Sequence, residues 1–242
     1  MTKRQTMVSP YAGKFSSCME YTQEGYDDKL KAGHQRMWDK SKDKEMVIML
    51  ARHIWTAIDQ VVVKGKIAMD WLSSVAREWT KYHNKLDCSG YDKRMSWVTP
   101  DGFQVVQYRA SQKKHRQDTY MNGRVSLTYY NDTPNLDSKD MALSVAPNFV
   151  HSLDATHLRM AVNRGVEEGI KSFAMIHDSF GVHAAQMPTF IEKCVKPSFV
   201  DMYVKTDPLA ELYQSLPFEH ELYPEKGELD IDGVFDSEFF FS

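Results

Sequence analysis

The segment SFAMIHDSFGVHA, residues 172–184, places an imidazole beside a carboxylate between two short apolar runs. On both sides of the pair, apolar side chains alternate with the two-residue period of a β-strand. The pattern predicts a β-hairpin with Asp178 at or beside its turn. An aspartate held there is well placed to bind Mg²⁺, and it is equally a residue type that caps turns without further function.

A metal-dependent phosphohydrolase is a second interpretation of the pair. In such enzymes a His…His-Asp…Asp set holds the metal, and the chain offers His151 or His157, then His177 and Asp178, then Asp201. Those sites normally lie on packed helices, whereas the flanks of this pair have the period of strands. The local pattern therefore favours a hairpin site.

Two helical patterns precede this hairpin. The longer runs over residues 45–85, with apolar side chains at three- and four-residue steps, and Gly65 predicts a break or kink within it. The second begins at Asn148, a residue type that caps helices, and ends at Gly169. This second helix carries His151.

Two segments with the pattern of β-strands lie between the helices. Pro100–Gly102 predicts a turn, and Asn122-Gly123 is a strong hairpin signal. The second segment is basic and rich in tyrosine, which suits insertion into a DNA groove or contact with single strands, and also suits a solvated protruding hairpin. Its candidate DNA-binding side chains are Arg109, Lys113, Lys114, Arg116 and Arg124.

Composition narrows the class of protein. With 242 residues, 42% of them hydrophobic and 12% aromatic, the chain has the material for a folded core. No run of 18 apolar residues and no basic-then-apolar leader is present, so we expect no membrane span and no signal peptide. The three scattered cysteines lack zinc spacing and indicate a reducing compartment.

Charge is divided unevenly along the chain. Residues 1–120 contain 21 Lys and Arg against 14 Asp and Glu, whereas residues 121–242 contain 9 against 19. A basic half attracts a polyanion, and an acidic half faces solvent, metal ions or a basic partner. Two solvated surfaces of opposite sign explain the same numbers.

Several segments, taken together, resemble the single-subunit phage-type RNA polymerases. They are TKRQTMVSPY at the amino end, WVTPDGF at 97–103, APNFVHSLD followed by FAMIHDSFG, and the Phe-rich SEFFFS. The resemblance implies an α+β fold: a mostly helical fragment of a right-hand polymerase, with a catalytic β-hairpin and a protruding β-hairpin. It assigns fingers helices to 1–96, β segments with a specificity-like hairpin to 97–145, and part of the palm with a foot-like carboxyl-terminal segment to 146–242.

The resemblance also implies a nucleotide-binding set. Lys3 matches the lysine that binds the incoming triphosphate, and Arg4 supports it. Tyr11 matches the tyrosine that covers the nascent base pair and helps to select ribose, and His151 matches the histidine near the 2′-hydroxyl. Positions 3 and 11 lie about two turns apart on one helix face, so a cation and a ring can act together. Ala12 stands where the family usually has Gly.

The catalytic set implied by the resemblance is Asp178, Lys3, Tyr11, His151 and His177, with Asp178 as the metal ligand. Two-metal phosphoryl transfer requires carboxylates that bridge two Mg²⁺ ions. The family's second aspartate comes from a palm strand upstream of the fingers helix, and that strand has no match here.

A larger amino-terminal polymerase subunit is therefore expected to share the two Mg²⁺ ions in a heterodimer. The chain resembles the smaller subunit of two-chain podovirus polymerases, and a piece of a longer single chain is the competing explanation. The other partners implied are a DNA template, ribonucleoside triphosphates and the RNA product, in the cytoplasm of an infected bacterium. A non-catalytic nucleic-acid-binding or scaffold subunit is the alternative function, although the intact Lys3, Tyr11, His151 and Asp178 argue against it.

Overall fold

The computed structural model describes residues 2–8, 13–86, 93–238 and 240. The chain forms two compact units, Met1–Leu72 and Ser73–Ser242, with the boundary inside one helix. Helices make up the first unit, and helices with small antiparallel sheets make up the second, which confirms the predicted α+β class. The finer division into fingers and palm remains a prediction.

The first unit is helical. It contains α1 (Lys3–Val8), α2 (Phe15–Lys31), α3 (Asp43–Val61) and the start of α4 (Val63–His83). Helices α2 and α3 pack together through buried side chains, and the Cys18 thiol lies 3.6 Å from the Ala51 carbonyl oxygen. The turn between these helices is fixed by Asp43, which accepts hydrogen bonds from Arg36 and from the indole of Trp38.

The predicted helix over residues 45–85 is broken, but not at Gly65. The break is at Val62, between α3 and α4, and the two helical axes differ by 87°. Gly65 lies within α4, where a Cβ atom would come 3.0 Å from Cγ1 of Val62. The lack of a side chain at Gly65 therefore leaves room for the bend at Val62, one turn earlier, but the chain does not bend at Gly65 itself.

The second unit is built around a 30-residue helix, α5 (Ser138–Glu167). The prediction that this helix begins at Asn148 was wrong. Its N-cap is Asp137, whose carboxylate accepts a hydrogen bond from the Asp140 amide, and the helix continues through Pro147. Asn148 is an interior position, and its amide donates to Gln107 Oε1 at 2.9 Å.

Three two-stranded antiparallel sheets occur in the described chain, each a hairpin. Their strands pair in sequence order: β1 (Met95–Val98) with β2 (Gln104–Gln107), β3 (Ala110–Tyr120) with β4 (Arg124–Leu136), and β5 (Ala174–Ile176) with β6 (Ser179–Gly181). We call β3–β4 the long hairpin and β5–β6 the His-Asp hairpin. All three turns that the sequence predicted are present.

The first hairpin is tied to α5 by charge. Arg159 of α5 forms a salt bridge with Asp101 in the β1–β2 turn, and its guanidinium lies 4.7 Å from the ring centre of Phe103. Hydrogen bonds from Arg159, helped by Thr99 and Thr156, hold the pKa of the Asp101 carboxyl well below its usual range.

The long hairpin is anchored only at its base. The Asn84 side chain donates to the Leu136 carbonyl oxygen at 3.0 Å and accepts from the Leu136 amide at 2.8 Å. Beyond that point, residues 124–132 of β4 are exposed on both faces.

Short helices close the second unit. Helix α6 (Met187–Phe190) continues through a π-helical turn (Ile191–Val195) into α7 (Lys196–Val204), and α8 (Pro208–Gln214) follows. Lys226 returns to the end of α7 and donates to the carbonyl oxygens of Tyr203 and Thr206. Cations at a helix carboxyl end stabilise its free carbonyl groups.

Within the described residues, no single helix is long and apolar enough to cross a membrane. Only the bent pair Lys40–Val61 and Val63–His83 satisfies the criteria of length and composition, and it does so with its two members combined.

Candidate nucleotidyl-transfer site

The His-Asp hairpin presents its two polar residues as a two-residue loop. Ile176 pairs with Ser179, so His177 and Asp178 form the whole connection between the strands. His177 has a φ of 54°, in the left-handed region that histidine enters more readily than most residues. The side chain of Asp178 is exposed at the tip, as the sequence pattern predicted.

An apolar cluster supports this short hairpin from below. Its buried members are Ala161, Ile170, Phe190, Cys194 and Val195. The strands add Met175 and Phe180 to the cluster, and the ring centres of Phe180 and Phe190 are 6.4 Å apart. Two strands of three residues are not stable alone in water, so this packing fixes where the Asp178 carboxylate stands.

The carboxyl-terminal Phe240 joins the same cluster. Its ring lies 4.9 Å from that of Phe199, centre to centre, and 6.5 Å from the imidazole of His157. Burial lowers the pKa of His157, and its Nε2 donates to the Val195 carbonyl oxygen at 2.9 Å. His157 is therefore a core residue of the cluster.

His151 lies on α5 and is exposed, in contrast to His157. Its Nδ1 is 3.9 Å from Oδ2 of Asp154, one helical turn later. Desolvation, together with the nearby charge of Asp178, raises the pKa of Asp154, while His151 acts in the opposite direction. Asp154 thus lies in the electrostatic field of both predicted site residues, although it has no family match and was not among the predicted site residues.

Tyr203 of α7 completes the surroundings of this carboxylate. Its hydroxyl is largely buried, and desolvation together with the charge of Asp154 raises the pKa of Tyr203 to about 12. The phenol of Tyr203 therefore stays protonated and neutral beside Asp154 at all physiological pH values.

Asp201 does not join this group. It forms salt bridges with Arg164 and Lys205, which outweigh its partial burial and hold its pKa below the usual range. The described residues contain no group of three or more His, Cys, Asp or Glu side chains placed to hold a metal ion. With His157 in the core and Asp201 paired elsewhere, the structure disfavours the phosphohydrolase interpretation.

The donor set fits only part of a magnesium site. Asp178 offers a hard carboxylate oxygen at an exposed tip, the ligand type that Mg²⁺ prefers. A two-metal centre needs further carboxylates, and although the charge of Asp178 acts on Asp154, the described residues form no group of three or more possible ligands.

The predicted triphosphate-binding residues lie in the first unit, on α1. Lys3 is exposed, and Arg4 donates to Oε2 of Glu24 on α2 at 3.0 Å. The neighbouring Gln5 of α1 is buried, and its side chain donates a hydrogen bond to the Thr22 hydroxyl of α2 at 3.0 Å. This bond anchors α1 on α2. Tyr11 lies outside the described residues, so its expected position on the face of Lys3 stays a prediction.

The five predicted DNA-binding cations are all exposed. Arg109 precedes the long hairpin, and its carbonyl oxygen accepts from the Asp137 amide. Lys113, Lys114 and Arg116 lie on β3, and Arg124 lies on β4 beside the turn.

Comparison with known proteins assigns these elements to a family. The model of the DNA-dependent RNA polymerase family matches residues 1–223. The chain belongs to the phage-type RNA polymerases. Segments that predicted this membership contain His151, His177 and Asp178 and the α1 residues Lys3 and Arg4, and the role of each residue stays a prediction.

Two polymerase relatives match along the whole chain. The DNA-directed RNA polymerase of Enterobacteria phage T3 and the T7 RNA polymerase of Escherichia phage T7 are each 31% identical over 258 residues. These matches cover 100% of this chain but 29% of each relative, so the chain spans less than a third of their length. A DNA-directed RNA polymerase of Nicotiana tabacum is 33% identical over 60% of the chain.

Proposed function

We propose that this chain is the carboxyl-terminal subunit of a two-chain DNA-directed RNA polymerase, which extends RNA on a DNA template. The observation that carries the proposal is the exposed Asp178 at the tip of a rigidly supported hairpin, in a chain of the phage-type polymerase family. The alternative of a non-catalytic subunit gives no reason for that support.

The nucleotide-binding roles follow the family motif. Lys3 and Arg4 would hold the β- and γ-phosphates of the incoming ribonucleotide, and Arg4 would first release Glu24. Tyr11 would cover the nascent base pair. His151 would read the ribose 2′-hydroxyl, since an imidazole both donates and accepts a hydrogen bond.

The metal-binding role belongs to the hairpin tip. Asp178 would hold Mg²⁺ jointly with carboxylates of the larger amino-terminal subunit, and His177 fixes the backbone from which Asp178 projects. Two bound Mg²⁺ ions would activate the RNA 3′-hydroxyl and stabilise the departing pyrophosphate.

Two observations support a partner chain. The described residues offer no complete set of metal ligands around Asp178. Within the same residues, no third strand pairs with the His-Asp hairpin, which leaves its strand edges available to a strand from another chain. The host cytoplasm, where template and ribonucleotides are found, is the proposed location.

Extension of a labelled RNA primer on a DNA template, with Mg²⁺, tests the proposal. The reaction is run with this chain alone, with a candidate larger subunit alone, and with the two purified as a complex. We expect extension only with the complex.

Extension by the lone chain would contradict the shared site, because all metal ligands would then be in this chain. A stable complex without activity would favour the scaffold alternative. Phosphatase activity of the lone chain would support the phosphohydrolase alternative instead.

A further inference from the structure

The turn of α5 that carries His151 is fixed from its buried side. The indole of Trp97 in β1 donates to Ser152 Oγ at 3.0 Å, and Ser152 donates to the Phe149 carbonyl oxygen at 2.6 Å. All three side chains are buried, and the rings of Trp97 and Phe149 lie 5.8 Å apart, centre to centre. The backbone beneath His151 is therefore held in place by packing.

The imidazole of His151 is in a different situation, because its side chain is 65% exposed. The last torsion of a histidine side chain is broad and roughly two-fold, so an exposed ring can present either nitrogen to a ligand. A ring that recognises one hydroxyl group needs a neighbour that fixes both its orientation and the position of its proton.

Asp154 is the carboxylate placed to do this. It follows His151 by three residues, so both side chains lie on one face of α5. Its Oδ2 lies 3.9 Å from Nδ1 of His151, and a shift of about 1 Å would make a hydrogen bond. Hydrogen bonds of catalytic groups are often long before substrate binds. An ionised carboxylate only accepts, so Nδ1 would carry the proton in this pair.

The surroundings of Asp154 favour such a bond. Desolvation and the charge of Asp178 raise the pKa of Asp154, whereas the nearby imidazoles of His151 and His157 lower it. Of these two imidazoles, His157 is buried and bonds through Nε2 to the Val195 carbonyl oxygen. A carboxylate that has lost part of its hydration is stabilised by each hydrogen bond it accepts, and His151 is the exposed imidazole beside it.

We infer that Asp154 is a positioning residue, whose carboxylate accepts a hydrogen bond from Nδ1 of His151 and leaves Nε2 to accept from the ribose 2′-hydroxyl. Asp154 itself does not touch the nucleotide. The inference rests on the proposed function only for the group that Nε2 meets, since the pair of Asp154 and His151 belongs to this chain alone.

Nitrogen-15 NMR of the full chain with labelled histidine tests the pairing, because the ring nitrogens report which of them carries the proton. Spectra are recorded at a pH of about 8, above the ordinary range of imidazole, and the His151 signals are identified by their loss in His151→Gln. We expect the Nδ1 proton to predominate in the unchanged protein and in Asp154→Glu, which keeps the carboxylate. Asp154→Ala should shift the proton toward Nε2.

Asp140→Ala is the matched control. Asp140 is an exposed aspartate on the same helix, 14 residues earlier, which places it about 20 Å away along the axis. It should leave the His151 tautomer unchanged. Because Asp154 is also partly exposed and alanine favours helices, neither substitution should lower the thermal midpoint by more than a few degrees.

Primer extension by the complex measures the effect of the pairing on sugar selection. In Asp154→Ala the KM for ribonucleotides should rise about fivefold with kcat unchanged within about twofold, since one hydrogen bond remote from the reacting phosphate is weakened. The kinetic constants for deoxyribonucleotides should stay the same, because these substrates lack the 2′-hydroxyl. A merely structural defect would impair both kinds of substrate, and Asp154→Glu should restore most of the discrimination.

The same His151 tautomer in the unchanged protein and in Asp154→Ala would overturn the pairing. A shift in Asp178→Asn but not in Asp154→Ala would assign the orienting carboxylate to Asp178 and overturn it too. Equal losses with ribonucleotides and deoxyribonucleotides would overturn the role in selection. If the unchanged complex extends no primer, the proposed function fails, and the NMR spectra still decide whether Asp154 orients His151.

Discussion

The His-Asp hairpin and the long hairpin have the same topology, two antiparallel strands and a short loop, but different sources of order. The former has three-residue strands that rest on a buried cluster around Phe190. The latter has strands of 11 and 13 residues, exposed on both faces beyond its anchored base. The short hairpin is held by what lies beneath it, and the long one by hydrogen bonds between its own side chains.

This difference fits the role proposed for the His-Asp hairpin and the DNA contact predicted for the long one. A carboxylate proposed to bind metal must be held within a fraction of an ångström, and a packed core provides that accuracy. A hairpin predicted to contact DNA needs reach and adaptable contacts, which an exposed ribbon provides. The comparison predicts that substitutions near Asp178 act on chemistry or global stability, while those on the long hairpin act on binding or local order.

Asp178→Asn should have the largest effect. If Asp178 is a metal ligand as proposed, loss of its carboxylate charge should lower primer extension by the complex about a thousandfold or more. Asp118→Asn, the same change on the long hairpin, is the control and should retain most of the activity. Normal activity of Asp178→Asn in a stable complex would refute its assignment.

Removal of a core ring separates the two kinds of support. Phe190→Ala creates a cavity beneath the His-Asp hairpin and should lower the free energy of unfolding by about 3–5 kcal/mol. Leu127→Ala, at an exposed position of β4 in the long hairpin, should change the free energy of unfolding by no more than about 0.5 kcal/mol. Urea unfolding followed by tryptophan fluorescence measures both, and similar losses would contradict the proposed division.

The β1–β2 hairpin is intermediate between the other two, because a salt bridge between Asp101 and Arg159 holds its turn on α5. Because the pKa of Asp101 is depressed in the folded protein, its contribution to stability is present above pH about 4 and is lost as the pH falls below that value. Asp101→Asn should cost about 1–2 kcal/mol at pH 7 and flatten the acid side of the stability profile. An unchanged profile would show that the salt bridge with Arg159 does not stabilise the fold.

The smallest effect is expected from Arg124→Ala, at the start of β4 in the long hairpin. Its partner Asp118 is solvent-exposed, so the unfolding midpoint should stay unchanged. Amide hydrogen exchange in β3 and β4 should become faster, since hydrogen bonds from Arg116, Arg124 and Ser126 order this ribbon locally. A shift of the global midpoint would mean that the long hairpin is coupled to the core.

Local signals predicted the turns correctly. The Pro100–Gly102 turn, the Asn122-Gly123 loop and the position of His177-Asp178 all depend on neighbouring residues and could be identified from the sequence. The start of α5 could not, because Asn148 after Pro147 imitates a cap and a proline is unusual inside a helix, whereas the true cap is Asp137.

Tertiary relationships explain the remaining differences. The bend at Val62, instead of Gly65, reflects how close the Val62 side chain comes to the next turn. Asp154 was set aside because it has no family match, and its interaction with Asp178 arises only when the fold brings another element close. Which residues of β3 and β4 share a face follows from the strand register, which the sequence did not specify.

The left-handed backbone at His177 limits how this protein can evolve. Glycine, asparagine and aspartate tolerate a φ of 54°, whereas the β-branched residues that otherwise favour strands do not. Replacement of His177 by valine, isoleucine or threonine would therefore meet a backbone barrier before any effect on chemistry is tested, whereas asparagine and aspartate would not. Variation in this chain should accumulate on the exposed long hairpin and not at the two residues that fix the position of one carboxylate.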